Sequence, residues 1–98
     1  MPYINQELRT KLDGDIENLK QNLAQLKDSE IEGALNYTIT SLLDVVKDVG
    51  EKRWRYIYIN RIIGVLECLK LEFYVRLGRK YEDKAIETNG DLQVYKDI

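Results

Sequence analysis

Positive and aromatic side chains alternate in one short segment of the chain, residues 52–61. This segment holds four Lys or Arg residues, one Trp and two Tyr, and no Asp or Glu. Aromatic rings stack on nucleobases, and Arg guanidinium groups bind phosphates through paired hydrogen bonds. The segment therefore predicts a site for an anionic, nucleotide-derived ligand. The alternative is structural: Trp54 and Tyr58 pack on a neighbouring helix while the cations face water, and tyrosine also suits protein–protein interfaces.

A second group of polar residues lies in the stretch LNYTIT, residues 35–40. Asn and Thr are modest helix formers, yet they occur here inside a segment with helical periodicity. They are candidates for hydrogen bonding to a ligand or across an interface, and simple exposure to solvent accounts for them equally well. The candidate ligand-binding residues of the two segments are Arg53, Trp54, Arg55, Tyr56, Tyr58, Arg61, Asn36 and Tyr37.

The carboxylates do not form a recognisable catalytic pair. Glu67 and Glu72 lie inside an apolar run, but a separation of five residues places them about 140° apart on a helix. Ion pairs with basic neighbours on the same helix are the simpler interpretation. A helical nucleotide pyrophosphohydrolase would need acidic residues at E-x-x-E and E-x-x-D spacing to hold magnesium, and neither pattern occurs. A further acidic group could bind a hard cation, although acidic tails are usually just solvated: Glu82, Asp83, Glu87 and Asp91.

The chain has no histidine, and Cys68 is its one cysteine. This composition excludes an internal disulfide and leaves neither the ligands of a structural zinc site nor the general base of the usual catalytic triads. We therefore expect no catalytic residue, no metal and no cofactor. A metal-dependent hydrolase that uses Glu67, Glu72 and the acidic group is the alternative.

Charge is unevenly distributed along the 98 residues, whose net charge is −2. Residues 1–51 carry −5, residues 52–80 carry +6 and residues 81–98 carry −3. Either the acidic parts neutralise the basic segment, or that segment faces an anionic ligand or an acidic partner. No apolar run approaches the roughly 20 residues of a membrane span, and the start lacks a signal-peptide pattern, so we expect a cytoplasmic protein.

Two amphipathic helices are expected in the first half of the chain. Apolar residues recur every three or four positions between Leu8 and Leu26, which predicts a first helix over about 5–27. This helix can break near Gly14, where Asp13 would cap the second part. The spacing of Ser29 and Glu32 matches a capping box, so a second helix is expected over 30–49, with a stop at Gly50.

A third helix is expected over about 51–80 or beyond, to about residue 88, followed by a tail over 89–98. Its apolar residues lie on most sides, so two shorter helices of one chain cannot cover it. We therefore expect one all-α domain, residues 1–98, formed by a three-helix hairpin or bundle that assembles into a homo-oligomer. The predicted interface residues are Ile62, Ile63, Leu66, Leu69, Phe73 and Tyr74.

Several motifs resemble a family of short, uncharacterised proteins of tailed phages and prophage regions. They are MPYI (1–4), LNYTIT (35–40), IGVLEC (63–68), KLEFY (70–74), YED (81–83) and NGD (89–91). The resemblance implies a viral or mobile-element origin and transfers no activity. The chain departs from that family where Gly78-Arg79-Lys80 precedes Tyr81 in place of a proline-containing turn, so its helix is expected to continue there.

The function expected by this association is non-catalytic binding. Small helical phage proteins of this kind include inhibitors of host defence that sequester a nucleotide signal or block a defence complex. The expected partners are a second copy of the chain, a nucleotide ligand or a host defence protein, all in the host cytosol. The alternatives are the metal-dependent nucleotide hydrolase and a structural adaptor of a phage complex. No feature of the sequence points to DNA, RNA or a membrane.

Overall fold

The computed structural model of the chain describes residues 2–47 and 53–96, and these ranges contain helices and no strand. The all-α prediction is therefore confirmed, and one C-terminal helix of 34 residues dominates the chain. By its internal contacts the chain divides between Ile63 and Gly64 into two units, and each is described by itself. The elements are α1 (Gln6–Ala24), α2 (Asp28–Leu42), a 3₁₀ turn (Leu43–Val46), α3 (Tyr56–Phe73), a π turn (Tyr74–Gly78), α4 (Arg79–Asn89) and the one-turn helix α5 (Gln93–Lys96).

Helix α1 is continuous, so the predicted break near Gly14 does not occur. Asn5 caps the helix, because its side-chain oxygen accepts a hydrogen bond of 3.0 Å from the backbone N–H of Leu8. Gly14 has open space around its Cα, and Asp13 lies inside the helix rather than at a cap. A single exposed glycine costs about 1 kcal/mol in a helix, and the turns on either side sustain the helix across it.

Helix α2 begins at Asp28, two residues before the predicted start. At the start of this helix, the backbone N–H of Lys27 donates to the carboxylate of Glu30 at 2.9 Å. The predicted cap at Ser29 is therefore wrong, because the helix begins before Ser29 and Glu30, not Glu32, reaches back to its start. The predicted stop at Gly50 lies outside the described residues.

In unit 1, helices α1 and α2 contact each other. Leu19 and Leu23, near the C-terminal end of α1, are half-buried, as are Ile31 and Ile39 of α2. The apolar residues nearer the start of α1 are exposed. The α1–α2 pair thus buries only part of the amphipathic stripe that the sequence predicts.

Helix α3 begins at Tyr56, so residues 53–55 precede it, although the sequence places them inside it. The carbonyl of Arg55 accepts the first two helical hydrogen bonds, from the N–H groups of Tyr58 and Ile59, at 3.0 and 3.1 Å. Residues 51 and 52, where the predicted helix starts, lie outside the described part of the chain.

A π turn connects α3 to α4 without interrupting the helix. The N–H of Arg79 donates to the carbonyl of Tyr74, five residues earlier, instead of to the residue four positions back. The ring of Tyr74 lies directly over Gly78, where an added Cβ would meet its Cδ2 at 2.7 Å. Glycine is therefore the residue that lets the Tyr74 ring pack against the helix backbone.

Helix α4 ends at Asn89, and the chain reverses at Gly90. Gly90 has a φ of 87°, a region that favours glycine, and its N–H donates to the carbonyl of Ile86 at 2.8 Å. The tail then forms the single helical turn α5.

Burial is sparse throughout the described residues. Ile62, 7% exposed, is the one buried residue among them. Because it is already covered within its own chain, Ile62 is not available to a second copy, although the sequence assigns it to an oligomer interface. No helix in the described ranges is long and apolar enough to cross a lipid bilayer.

Replacing Gly78 tests the packing at the π turn. Gly78→Ala adds a methyl group that the Tyr74 ring must move to admit, and overpacking of this kind outweighs the helix-propensity gain, so we expect a loss of about 1 kcal/mol. The measurement is urea unfolding followed by circular dichroism at fixed protomer concentration.

The matched control is Gly14→Ala, because Gly14 is an exposed helical glycine with nothing within 4 Å of an added Cβ. This change should stabilise by about 0.5–1 kcal/mol. In a Tyr74→Ala background, Gly78→Ala should also become stabilising. Equal stabilisation by both glycine substitutions in the native background would contradict the proposed packing.

Candidate functional site

Trp54 lies beside a positive charge. The Nζ of Lys47 lies 5.3 Å from the centroid of the Trp54 ring, within the range of a cation–π interaction. Trp54 is nevertheless half-exposed. Trp54 is therefore held by a contact on one side while part of its surface stays accessible to a ligand. The sequence did not single out Lys47, because seven positions separate it from Trp54.

The first turn of α3 carries the remaining aromatic side chains of this group. The guanidinium carbon of Arg55 lies 5.9 Å from the centroid of the Tyr58 ring, and Tyr58 is half-buried. Tyr56 is 76% exposed, so its ring faces open solvent. The two tyrosines therefore differ in environment: Tyr58 is partly packed, as the structural alternative required, and Tyr56 is available for stacking.

The start of α3 is also electropositive. The first turn of this helix has no acidic side chain, so nothing within it offsets the partial positive charge of the helix N-terminus. Arg53 and Arg55 precede the helix, and Arg61 lies exposed in its second turn. The six predicted ligand-binding residues of this segment thus all lie between positions 53 and 61, at the start of α3. We call residues 53–61 with Lys47 the basic–aromatic segment.

Asn36 and Tyr37 lie together on a different element, helix α2. They line a shallow depression of about 610 Å³, with Glu32, Gly33, Thr40 and Ser41. Tyr37 is as exposed as Tyr56, at 76%. This pair is an accessible polar surface on α2 and a second candidate contact for a ligand.

The polar residues of α2 are largely satisfied by their own helix. Thr38 donates to the carbonyl of Ala34 at 2.8 Å, and Ser41 donates to the carbonyl of Tyr37 at 2.7 Å. Thr40 donates to the side-chain oxygen of Asn36 at 3.2 Å. Bonds of this kind to a residue four positions earlier let Thr and Ser remain inside a helix. These hydrogen bonds account for the Thr and Ser side chains of α2 without a ligand.

Two of the carboxylates proposed for metal chemistry form local ion pairs. Lys70 lies 3.1 Å from Glu67, and Arg79 lies 2.9 Å from Asp83, each pair on one helix face. Within residues 2–47 and 53–96, no group of three or more Cys, Asp or Glu side chains is arranged to hold a metal ion. The acidic residues of the described ranges thus form no metal centre that such a reaction could use.

Unit 2 contains a cleft that the sequence did not predict. Its volume is about 640 Å³, and Tyr74, Ile86, Leu92 and Tyr95 are among its lining residues. The turn at Gly90 brings the last two of these back toward α4. The i, i+3 spacing of Leu92 and Tyr95 after a glycine is the pattern that could have indicated a short amphipathic turn here.

The positive potential at the basic–aromatic segment can be measured with Trp54, the one tryptophan of the chain. We expect the ratio of iodide to caesium quenching of its fluorescence to exceed that of free N-acetyltryptophanamide, because local cations concentrate anions. Lys47→Gln should lower the ratio of iodide to caesium quenching. Lys20→Gln, which removes an exposed cation of α1, serves as the charge-matched control and should leave the ratio unchanged. A ratio in the native chain no higher than that of N-acetyltryptophanamide would contradict the assignment.

Comparison with known proteins places the chain in a family. No curated protein and no solved structure matches it. A family described as "Domain of unknown function (DUF6899)" matches residues 1–92. Because this match covers nearly the whole chain, the protein belongs to the DUF6899 family.

Proposed function

We propose that the protein is a non-catalytic binding protein that works as a homo-oligomer and takes an anionic, nucleotide-derived ligand at the basic–aromatic segment. The observation that carries this proposal is the combination at the start of α3. There, Tyr56 is 76% exposed beside Arg55, in a first helical turn without acidic residues.

The chemistry of this segment suits a nucleotide better than a simple anion. Phosphate groups would interact with the guanidinium groups and the helix start. The exposed faces of Tyr56 and Trp54 would stack on the bases of a nucleotide. A simple anion such as sulfate has no base on which they could stack. Lys47 lies over the Trp54 ring and Arg55 over the Tyr58 ring, so two of the three aromatic side chains have a cation beside them.

A binding role also fits what the carboxylates do. Glu67 and Asp83 are engaged with Lys70 and Arg79, so no observation favours the metal-dependent hydrolase. The exposed apolar side chains of α3 and α4 support assembly from several copies, because exposed surface of this kind is typical of protein interfaces.

The resemblance to phage and prophage proteins suggests the biological setting. A small binding protein made in an infected cell would act in the host cytosol by sequestering a nucleotide signal of host defence. This part of the proposal rests on association, whereas the ligand class rests on the residues of the basic–aromatic segment.

Titration of Trp54 fluorescence with cyclic dinucleotides and trinucleotides tests the ligand proposal. We expect saturable binding, and a ligand with a Kd of about 1 µM should stabilise the protein by about 2.7 kcal/mol when present at 100 µM. Tyr56→Ala should weaken binding by about 1–3 kcal/mol through loss of stacking. Tyr56→Phe, which keeps the ring, should bind normally.

Lys20→Ala is the charge control for Arg55→Ala, and only the second substitution should weaken binding. No saturable signal and no thermal shift with any of these nucleotides would sink the ligand proposal. Equal loss of binding in both charge variants would assign the effect to overall charge.

A further inference from the structure

We propose that a second copy of the chain, running antiparallel, packs along the helix of unit 2 over one continuous face formed by Leu69, Phe73, Tyr81 and Ala85. This inference deepens the homo-oligomer part of the proposed function, on which it rests, and it gives that assembly an interface and a direction.

Unit 2 has no layer of its own to cover this helix. The described residues 64–96 consist of the end of α3, the π turn, α4 and the single turn α5, and none of them is buried. Leu69, Phe73 and Tyr81 are all exposed. Tyr95 of the turn α5 lines one cleft with Tyr74, Ala85 and Ile86, so α5 borders the stripe at its half-buried end, Ala85. Leu69, Phe73 and Tyr81 lie outside this cleft.

The π turn aligns the apolar residues on its two sides. In an uninterrupted α-helix, Tyr81 would lie about 120° around the axis from Leu69, since each residue turns the chain by about 100°. The extra residue of the π turn removes about 100° of that angle, which leaves Tyr81 about 20° from Leu69. The face from Leu69 to Ala85 then forms one stripe about 24 Å long.

Charge favours the antiparallel direction. Within unit 2, residues 64–80 contain four Lys or Arg and two Glu, whereas residues 81–96 contain two Lys and four Asp or Glu. The Arg79–Asp83 ion pair takes one charge from each half, and the halves remain opposite in sign. Antiparallel pairing places each half beside the opposite charge of the other copy, and parallel pairing places like charges together.

The apolar stripe and the charges beside it are suited to binding a second copy of the chain. An antiparallel pair related by a two-fold axis brings the same face of both chains together, so the interface must be complementary to itself. The stripe is apolar along its length, and its flanking charges reverse sign about its middle. The stripe is centred on Leu77, which places the axis there.

Two leucines of equal exposure provide the test of the face. Leu69 and Leu71 are both 53% exposed, but about 200° of helix separates them. In sedimentation equilibrium at micromolar concentration, Leu69→Asp should lower the mass relative to the native chain, and Leu71→Asp should keep the native mass. Loss of assembly in both variants, or in Leu71→Asp alone, would overturn the assignment of the face.

Cross-linking tests the antiparallel direction without changing a residue of the stripe. It also provides a test of the interface if the Leu69→Asp protein is insoluble. In a Cys68→Ser background, Lys70→Cys and Lys84→Cys proteins are mixed and treated with a short bismaleimide. An antiparallel pair centred on Leu77 joins position 70 to position 84, and like positions lie about 21 Å apart. Cross-links between like positions alone, or no cross-link in an assembled protein, overturn the interface and leave the homo-oligomer standing. A native chain that sediments as a single 11.5 kDa protomer overturns the homo-oligomer itself.

Discussion

The burial of apolar surface is the constraint on which the other features of this chain depend. An isolated helix is only marginally stable in water, and most of its stability in a folded protein comes from packing of its apolar face. Within the described residues Ile62 alone is buried, and unit 2 offers its long helix only one additional turn. The sequence nevertheless places Leu, Phe, Val and Tyr on most sides of that helix. We propose that a second copy supplies the surface that covers this helix, and in that case assembly and folding are one process at working concentrations.

The charged residues at the start of the long helix differ from those in its later parts. Its start carries cations and exposed aromatic rings without acidic residues, which suits an anionic ligand. Its later parts carry both signs, and there the pairs Glu67–Lys70 and Arg79–Asp83 are satisfied locally. Exposed pairs of this kind contribute about 0.3–0.5 kcal/mol each, so they add little to the stability of the helix. In the proposed assembly, the apolar stripe would supply the affinity and the order of charges would supply the direction.

The sequence predicts the helices far better than their details, for physical reasons that individual residues show. Amphipathic spacing is enough to find α1 and α2, and Asn89-Gly90 marks the end of α4 because glycine tolerates the φ of 87° found there. The predicted start of α2 is two residues late because Ser29 and Glu32 have the spacing of a capping box, whereas in the structure Glu30 accepts from the backbone N–H of Lys27, a residue type that does not signal a cap. At the π turn the ring of Tyr74 lies over Gly78, a contact that hydrophobic periodicity does not record. In the candidate site, residue types indicated the basic–aromatic segment, whereas the partner of Trp54, Lys47, required the fold.

The central claim is that the long helix of unit 2 is stable because another copy covers it. Hydrogen–deuterium exchange of residues 64–89, measured by mass spectrometry across a series of protein concentrations, tests this claim most directly. We predict that amide protection in this segment rises with protein concentration and falls on dilution, because the covering surface belongs to a second chain. Strong protection of residues 64–89 that does not change with concentration, in a protein with the mass of one chain, would contradict it.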